Sequence, residues 1–333
     1  MIFVFLLQQN TVSLSDNMRE TAMNNLQRAV LIRHYGGADA AELASVEKPA
    51  PGQGQVRIRV CAAGVNSIDW KVREGHVRNA FPLPLPIILG AEMAGIVDAV
   101  GPDTSRFRVG DRVMGAMAGL GAYAEFVALD ETSLSPVPEG LDDVRAAAIP
   151  VAAVTAWNSL QHAGPLYPGQ RILIHGAAGG LGAYAVQFAR QTGAEIFATA
   201  SLADRDVVRS LGADHVIDYQ AQRFEDIALN INLALDYVGG EVLDRSWQVL
   251  AQDGVVVSTA SPDILARTPA NRRGLWFMNK PDPALLEKLA NEVASGTLQS
   301  RIGDVVGFAD IPAAIERNRT LSRTGKVVAD FSR

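Results

Sequence analysis

The stretch Arg171–Gly182, RILIHGAAGGLG, constrains this chain more than any other. An apolar run, Ile172–Ile174, enters a glycine-rich turn, and an amphipathic stretch from Ala183 to Gln191 leaves it. Strand, glycine turn and helix start, in that order, let a backbone come close to a pyrophosphate while the N–H groups of the first helical turn face its charge. Against the pattern G-x-G-x-x-G, Ala177 takes the first glycine place, Gly179 the second and Gly182 the third. The alternative is a plain βα turn with a tight helix–strand contact. The strand and helix on either side favour the nucleotide reading.

The rest of the chain changes rhythm around this turn. Residues 27–150 read as short strands separated by turns: Ala29–Ile32, Val56–Val60, Gly95–Val100, Asp111–Val113 and Ala124–Val127. That is the pattern of an antiparallel, barrel-like unit. Residues 151–275 alternate. Strands are expected at Arg171–His175, Glu195–Thr199, His215–Ile217, Leu233–Tyr237 and Gly254–Ser258. Helices are expected between them at Gly180–Gln191, Ala203–Leu211 and Glu241–Leu250. Such a β-α-β-α series gives right-handed crossovers and a doubly wound parallel sheet, so the fold class is α/β. Residues 276–333 add a helix, Pro283–Ser295, and a strand, Lys326–Asp330, expected to return to the first unit. Residues 1–26 hold only a six-residue apolar run, Ile2–Leu7, with no basic cluster before it. They read as a disordered extension, too short in apolar length for a membrane span.

Composition matters mainly for what it excludes. The 30 basic and 36 acidic residues leave a net charge of −6, which disfavours nucleic acid as a partner. The single cysteine, Cys61, excludes an internal disulfide framework and any cysteine-rich zinc knuckle, and fits a reducing, cytoplasmic setting. The pattern G-x-S-x-G is absent, so Ser-His-Asp catalysis has no support.

The end of the second expected strand bears on which dinucleotide binds. An NAD site usually places an acid there to hold the ribose hydroxyls. Here the strand ends Thr199-Ala200-Ser201, without a carboxylate. Ser201 and Arg205, with Tyr219 at the end of the third strand, suit a 2′-phosphate, so NADPH is favoured and NADH stays possible. Asp204 sits among them and would repel phosphate, and Arg205 and Arg209 can equally be a solvated helix face.

Several segments taken in order resemble the medium-chain dehydrogenase/reductase superfamily, in its zinc-free NADPH:quinone oxidoreductase and enone reductase branch. They are Cys61–Gly75, Leu89–Gly101, Val109–Val113, Ile149–Trp157, His175–Gly182, Ser210–Tyr219, Leu235–Gly240 and Thr324–Val328. The resemblance implies a GroES-like β-barrel catalytic domain, split in sequence, plus a Rossmann domain, with a cleft between them. It also implies roles. Asn66 and Thr155 touch the nicotinamide ribose or carboxamide. Gly179, Gly180 and Leu181 hold the pyrophosphate, with Gly176 and Ala178 in the same cofactor-binding turn. Val238 and Phe277 line the nicotinamide pocket, and Lys326 matches a basic position near the cofactor phosphates. The resemblance further implies a homodimer formed by pairing Rossmann edge strands, for which Leu275–Met278 is the candidate. One departure is that Ala203 and Asp204 stand where the family often has a lysine for the 2′-phosphate.

Zinc enzymes of this superfamily need a cysteine in the first loop and a histidine in a Gly-His-Glu segment. This chain has Asn66-Ser67-Ile68-Asp69 and Gly90-Ala91-Glu92 there, so three ligands around an open position cannot be assembled and no metal is expected. Without a metal to offset charge on a carbonyl oxygen, an acceptor that takes hydride at carbon is the easier substrate. Quinones and α,β-unsaturated carbonyls are such acceptors. Lys71, on the loop that supplies ligands in the zinc enzymes, is the candidate catalytic cation for the developing enolate or hydroquinone oxygen. Its alternative is a surface lysine paired with Asp69 or Glu74. Trp70 and Tyr123 either wall the substrate cleft or belong to the core, and His175 reads as a packing residue. Two other activities stay open: metal-free carbonyl reduction, and nucleotide binding with little catalysis.

Overall fold

The computed structural model describes residues 25–320 and 324–333. The extension expected over residues 1–26 lies outside these but for its last two. Of those, Leu26 already pairs with Glu47 in an antiparallel ladder.

The parallel sheet has six described strands. In chain order they are Arg171–His175, Glu195–Ala200, His215–Asp218, Ile231–Asp236, Leu250–Ser258 and Arg273–Trp276. The first strand lies at the centre. The second and third extend to one side, and the fourth, fifth and sixth to the other. That is the order 3-2-1-4-5-6, whose direction reverses beside the first strand, where ligands of doubly wound sheets bind. The strands read as continuous apolar runs because helices cover both faces. Ile172, Leu173 and Ile174 are all fully buried. Helix Gly180–Thr192 closes the first crossover and ends at Gly193, whose φ of +75° suits glycine.

A second, mostly antiparallel sheet forms the barrel-like half. Its longest strand, Gln55–Val65, pairs with Glu92–Val100, Phe126–Asp130 and the C-terminal Lys326–Asp330. The last pairing sets Val327 opposite Val65, which brings Lys326 beside Asn66. One apolar core fills this half. A second runs from it onto one face of the parallel sheet, and a third covers the sheet's other face.

Some expected elements shift. Helix Glu241–Leu250 stops at Ser246, because Leu250 opens the next strand. Helix Ala203–Leu211 starts at Arg205 after a tight 3₁₀ turn over Leu202–Asp204. Strand Ala124–Val127 moves to Phe126–Asp130, and Ala124 keeps only a bridge to Ala29. The C-terminal part holds more than one helix and one strand: Ile302–Gly307 and Ile311–Thr320 were not foreseen. No helix among the described residues is long and apolar enough to cross a membrane.

Candidate active site

A cleft of about 770 Å³ opens between the two halves. Its floor is the glycine turn. Gly176 has φ +71°, a backbone state that side chains resist. A Cβ on Gly182 would lie 2.2 Å from the Gly176 carbonyl oxygen, so the helix can pack this close to the turn only with glycine there. Ala177, in the first glycine place, is buried and donates its N–H to the Thr199 carbonyl at 3.1 Å. Gly179, Gly180 and Leu181 face the cleft at the start of the helix, whose first N–H groups have no carbonyl within the helix to bind. The turn therefore fits a dinucleotide pyrophosphate on geometry, with a bare backbone wall and a helix start aimed at it.

Beneath the turn, His175 is held by hydroxyls. Ser246 donates to the Val242 carbonyl at 2.6 Å, so its oxygen accepts from Nε2 of His175 at 3.0 Å. Nδ1 then accepts from Thr199 Oγ1 at 3.2 Å, and that oxygen accepts from the Gly176 N–H at 3.3 Å. This relay needs the neutral ring, and burial holds the His175 pKa well below its ordinary value. His175 thus anchors the glycine turn.

The barrel-like half supplies helix Ser67–Arg73. Asp69, at its third position, reaches back to the Asn66 N–H at 2.8 Å, one arm of a capping box. The same carboxylate accepts from the Tyr123 hydroxyl at 2.7 Å and the Gly90 N–H at 3.2 Å. Burial pushes the Asp69 pKa up to about 6 despite these bonds. Tyr123 is accordingly core, while Trp70 lines the cleft. One turn of helix then carries Lys71 into the cleft, where its ammonium donates to the Ala260 carbonyl on the opposite half. Burial lowers its pKa, and the charge of Asp236 works against that fall. Neither Asp69 nor Glu74 is its partner: Glu74 pairs with Arg73, His76 and Arg319.

Glu92 is fully buried behind Asn66. Lys326 Nζ lies 2.5 Å from Glu92 and also donates to Asn66 Oδ1. Asn66 Nδ2 donates to Glu92 at 2.9 Å, and the Val151 N–H donates to the other Glu92 oxygen at 2.6 Å. The Lys326 charge is therefore spent on Glu92 at the Asn66 end of the cleft. Ala91, where the zinc enzymes have histidine, faces the cleft. Among the described residues, no three His, Cys, Asp or Glu side chains gather into a group that could hold a metal.

Of the residues given catalytic or cofactor-binding roles from the sequence, all but one line this cleft: Asn66, Lys71, Thr155, Gly176, Ala178, Gly179, Gly180, Leu181, Ser201, Tyr219, Val238, Phe277 and Lys326. The exception is Arg205, which lies outside the lining, on the helix that follows Asp204. Phe277 stacks on His162 with ring centroids 4.1 Å apart.

The sequence matches the alcohol dehydrogenase GroES-like domain over residues 52–139 and the zinc-binding dehydrogenase domain over residues 211–328. It is 36% identical over 317 residues to a quinone oxidoreductase of Pseudomonas aeruginosa, covering 88% of this chain and 96% of that protein. The chain belongs to the medium-chain dehydrogenase/reductase superfamily. The fold is also that of a quinone oxidoreductase from Coxiella burnetii, with a TM-score of 0.85 at 28% identity over 92% of this chain and 99% of that one. A Pseudomonas syringae quinone oxidoreductase gives a TM-score of 0.80 at 29% identity, over 91% and 99% of the two chains. Other relatives are far longer. A mycocerosic acid synthase-like polyketide synthase of Mycobacterium tuberculosis is 32% identical over 321 residues, 90% of this chain, yet the chain spans only 15% of that protein.

Two residues that shape this cleft escaped the sequence. Asp236, fully buried at a strand end, accepts from the N–H groups of Val238 and Gly239 and from the Ser258 hydroxyl, and so shapes the loop bearing Val238. Its position after the apolar run of Leu233–Leu235 was the available signal. Ala260, the carbonyl partner of Lys71, offered none.

Proposed function

We propose that this chain is a zinc-independent oxidoreductase acting on quinones or α,β-unsaturated carbonyls, with hydride supplied by a reduced nicotinamide dinucleotide bound in the cleft. The observation that supports it best is Lys71. Its ammonium sits in the cleft wall against a neutral carbonyl, and Asn66 and Thr155 line the same space. When an acceptor takes hydride at carbon, charge develops on a distant oxygen. A cation already placed and partly stripped of water stabilises that oxygen strongly. Lys71 leaves Ala260 for the substrate oxygen, and solvent supplies the proton. Trp70, Phe81, Met117 and Leu120 give the cleft an apolar wall that excludes water around the acceptor.

The Glu92–Lys326–Asn66 cluster supports zinc independence, because it commits Glu92 to an ammonium in the region where a metal would need open ligands. Dinucleotide oxidation followed with 1,4-benzoquinone, a 2-alkenal and a crotonyl thioester tests the assignment. Turnover of one class supports it. No turnover with any of them, despite measured dinucleotide binding, would leave a binding protein instead. A 2-alkenal that yields allylic alcohol instead of saturated aldehyde would point to carbonyl reduction.

A further inference from the structure

We propose that Asp204 makes the cleft select a dinucleotide with a free 2′-hydroxyl on its adenosine ribose, NADH over NADPH; this rests on the dinucleotide reading of the cleft. It runs against the preference expected from Ser201 and Arg205.

Ser201 and Tyr219 stand at the ends of adjacent parallel strands, with Tyr219 N–H donating to the Ala200 carbonyl at 3.3 Å. Both line the cleft, and so does Asp204. This is where a doubly wound sheet meets the adenosine ribose. The Ser201 hydroxyl gives its proton to Asp204 Oδ2 at 2.7 Å. Towards the cleft it therefore offers only lone pairs. A ribose hydroxyl can donate to them, whereas a phosphate, which accepts, finds no donor in Ser201.

Charge points the same way. A 2′-phosphate brings close to two negative charges beside a carboxylate that is already in place. Asp204 is fixed there, its side chain 10% exposed, by Ser201, by the Thr324 hydroxyl at 2.6 Å and by Arg301 at 3.5 Å. The nearby cations are not turned to a phosphate in the cleft. Arg205 lies outside the lining, and Arg301 has Asp204 as its ion partner.

The test is a fluorescence titration of the apo protein with NADH and with NADPH, which reads binding without turnover. NADH is expected to bind at least tenfold more tightly. The NADPH deficit should shrink as salt rises, because the repulsion is electrostatic. Asp204→Asn keeps the shape while removing the charge, its Oδ1 accepting from one of the two hydroxyls and its Nδ2 donating to the other, and should cut the NADH:NADPH ratio at least fivefold. Competition of wild-type protein by 5′-AMP and by adenosine 2′,5′-bisphosphate gives the same comparison should that variant fail to fold, with 5′-AMP expected to bind more tightly. Equal or tighter binding of NADPH overturns the proposal and leaves the dinucleotide reading intact. Binding of neither overturns both.

Discussion

At the scale of single residues, chemistry is set by what each charged group touches. Lys71 touches a carbonyl across the cleft, so its removal costs no carboxylate a partner. Lys71→Ala should lower kcat/KM for an enone or quinone at least tenfold with little change in dinucleotide affinity, and an unchanged kcat/KM would remove Lys71 from the mechanism. Because burial depresses its pKa, wild-type kcat/KM should fall on the alkaline side with a midpoint below the ordinary 10.5, and the variant should lack that limb. His175 predicts the opposite limb, in stability. Its folded pKa of about 4 lies below the unfolded 6.5, so the unfolded chain takes up the proton first as pH falls. The stabilisation is complete above about 6.5 and is lost towards 4, a difference on the order of 3 kcal/mol. Urea midpoints at pH 7 and pH 5 should therefore separate less in His175→Gln than in wild type. Asp69, raised to about 6, works in the other direction, becoming costlier to keep as pH rises through that range, so the variant comparison isolates His175. A histidine's burial is not written in its local sequence. The hydroxyls that fix its tautomer come from positions 199 and 246.

Elements were legible where their signal is local. The turn at Gly176–Gly182 announced itself because glycine alone meets its φ and its packing, and the strands on either side are continuous apolar runs. Arg273–Trp276 did not: it is four residues with a glycine inside, the resemblance alone pointed to an edge strand there, at Leu275–Met278, and Leu250–Ser258 offers it a ladder. The site's charge pairing was equally hidden. Lys326 finds Glu92, and Asp204 finds Thr324, through the pairing of the C-terminal strand with Gln55–Val65. Gly64 in that long strand carries a prediction. A Cβ there would lie 2.3 Å from Glu92 Oε1 and 2.9 Å from the Ala147 carbonyl. Gly64→Ala must displace a buried carboxylate that holds Asn66, Lys326 and the Val151 N–H, or shift the backbone. The expected cost is about 2 kcal/mol or more in denaturant unfolding, with weakened dinucleotide binding. Wild-type stability in this variant would show that Glu92 is not held tightly in place.

At the scale of the whole molecule, the two halves are joined by groups that also build the site. Lys71 meets Ala260 over the cleft, and the Gly325 N–H donates to the Ala178 carbonyl at 2.8 Å, tying the returning segment to the glycine turn. The split architecture was legible from the change of rhythm near residue 150 and from the apolar run at Lys326–Asp330; which side chains the return would bring together was not. What remains open at this scale is the sheet's outer edge. Arg273–Trp276 pairs on one side only with Leu250–Ser258, and among the described residues no strand covers the other. An uncovered edge presents a row of N–H and C=O groups suited to a second strand, and Met278 just beyond it is 45% exposed. The opposite edge, His215–Asp218, has the same four-residue length but carries the His215–Glu195 pair, which makes it a poorer template. We therefore expect a twofold dimer through Arg273–Trp276, each copy extending the other's sheet. Light scattering should give twice the monomer mass, and amide exchange at residues 273–276 should slow as protein concentration rises. A monomer mass at high micromolar concentration, with fast exchange along that strand, would rule this dimer out.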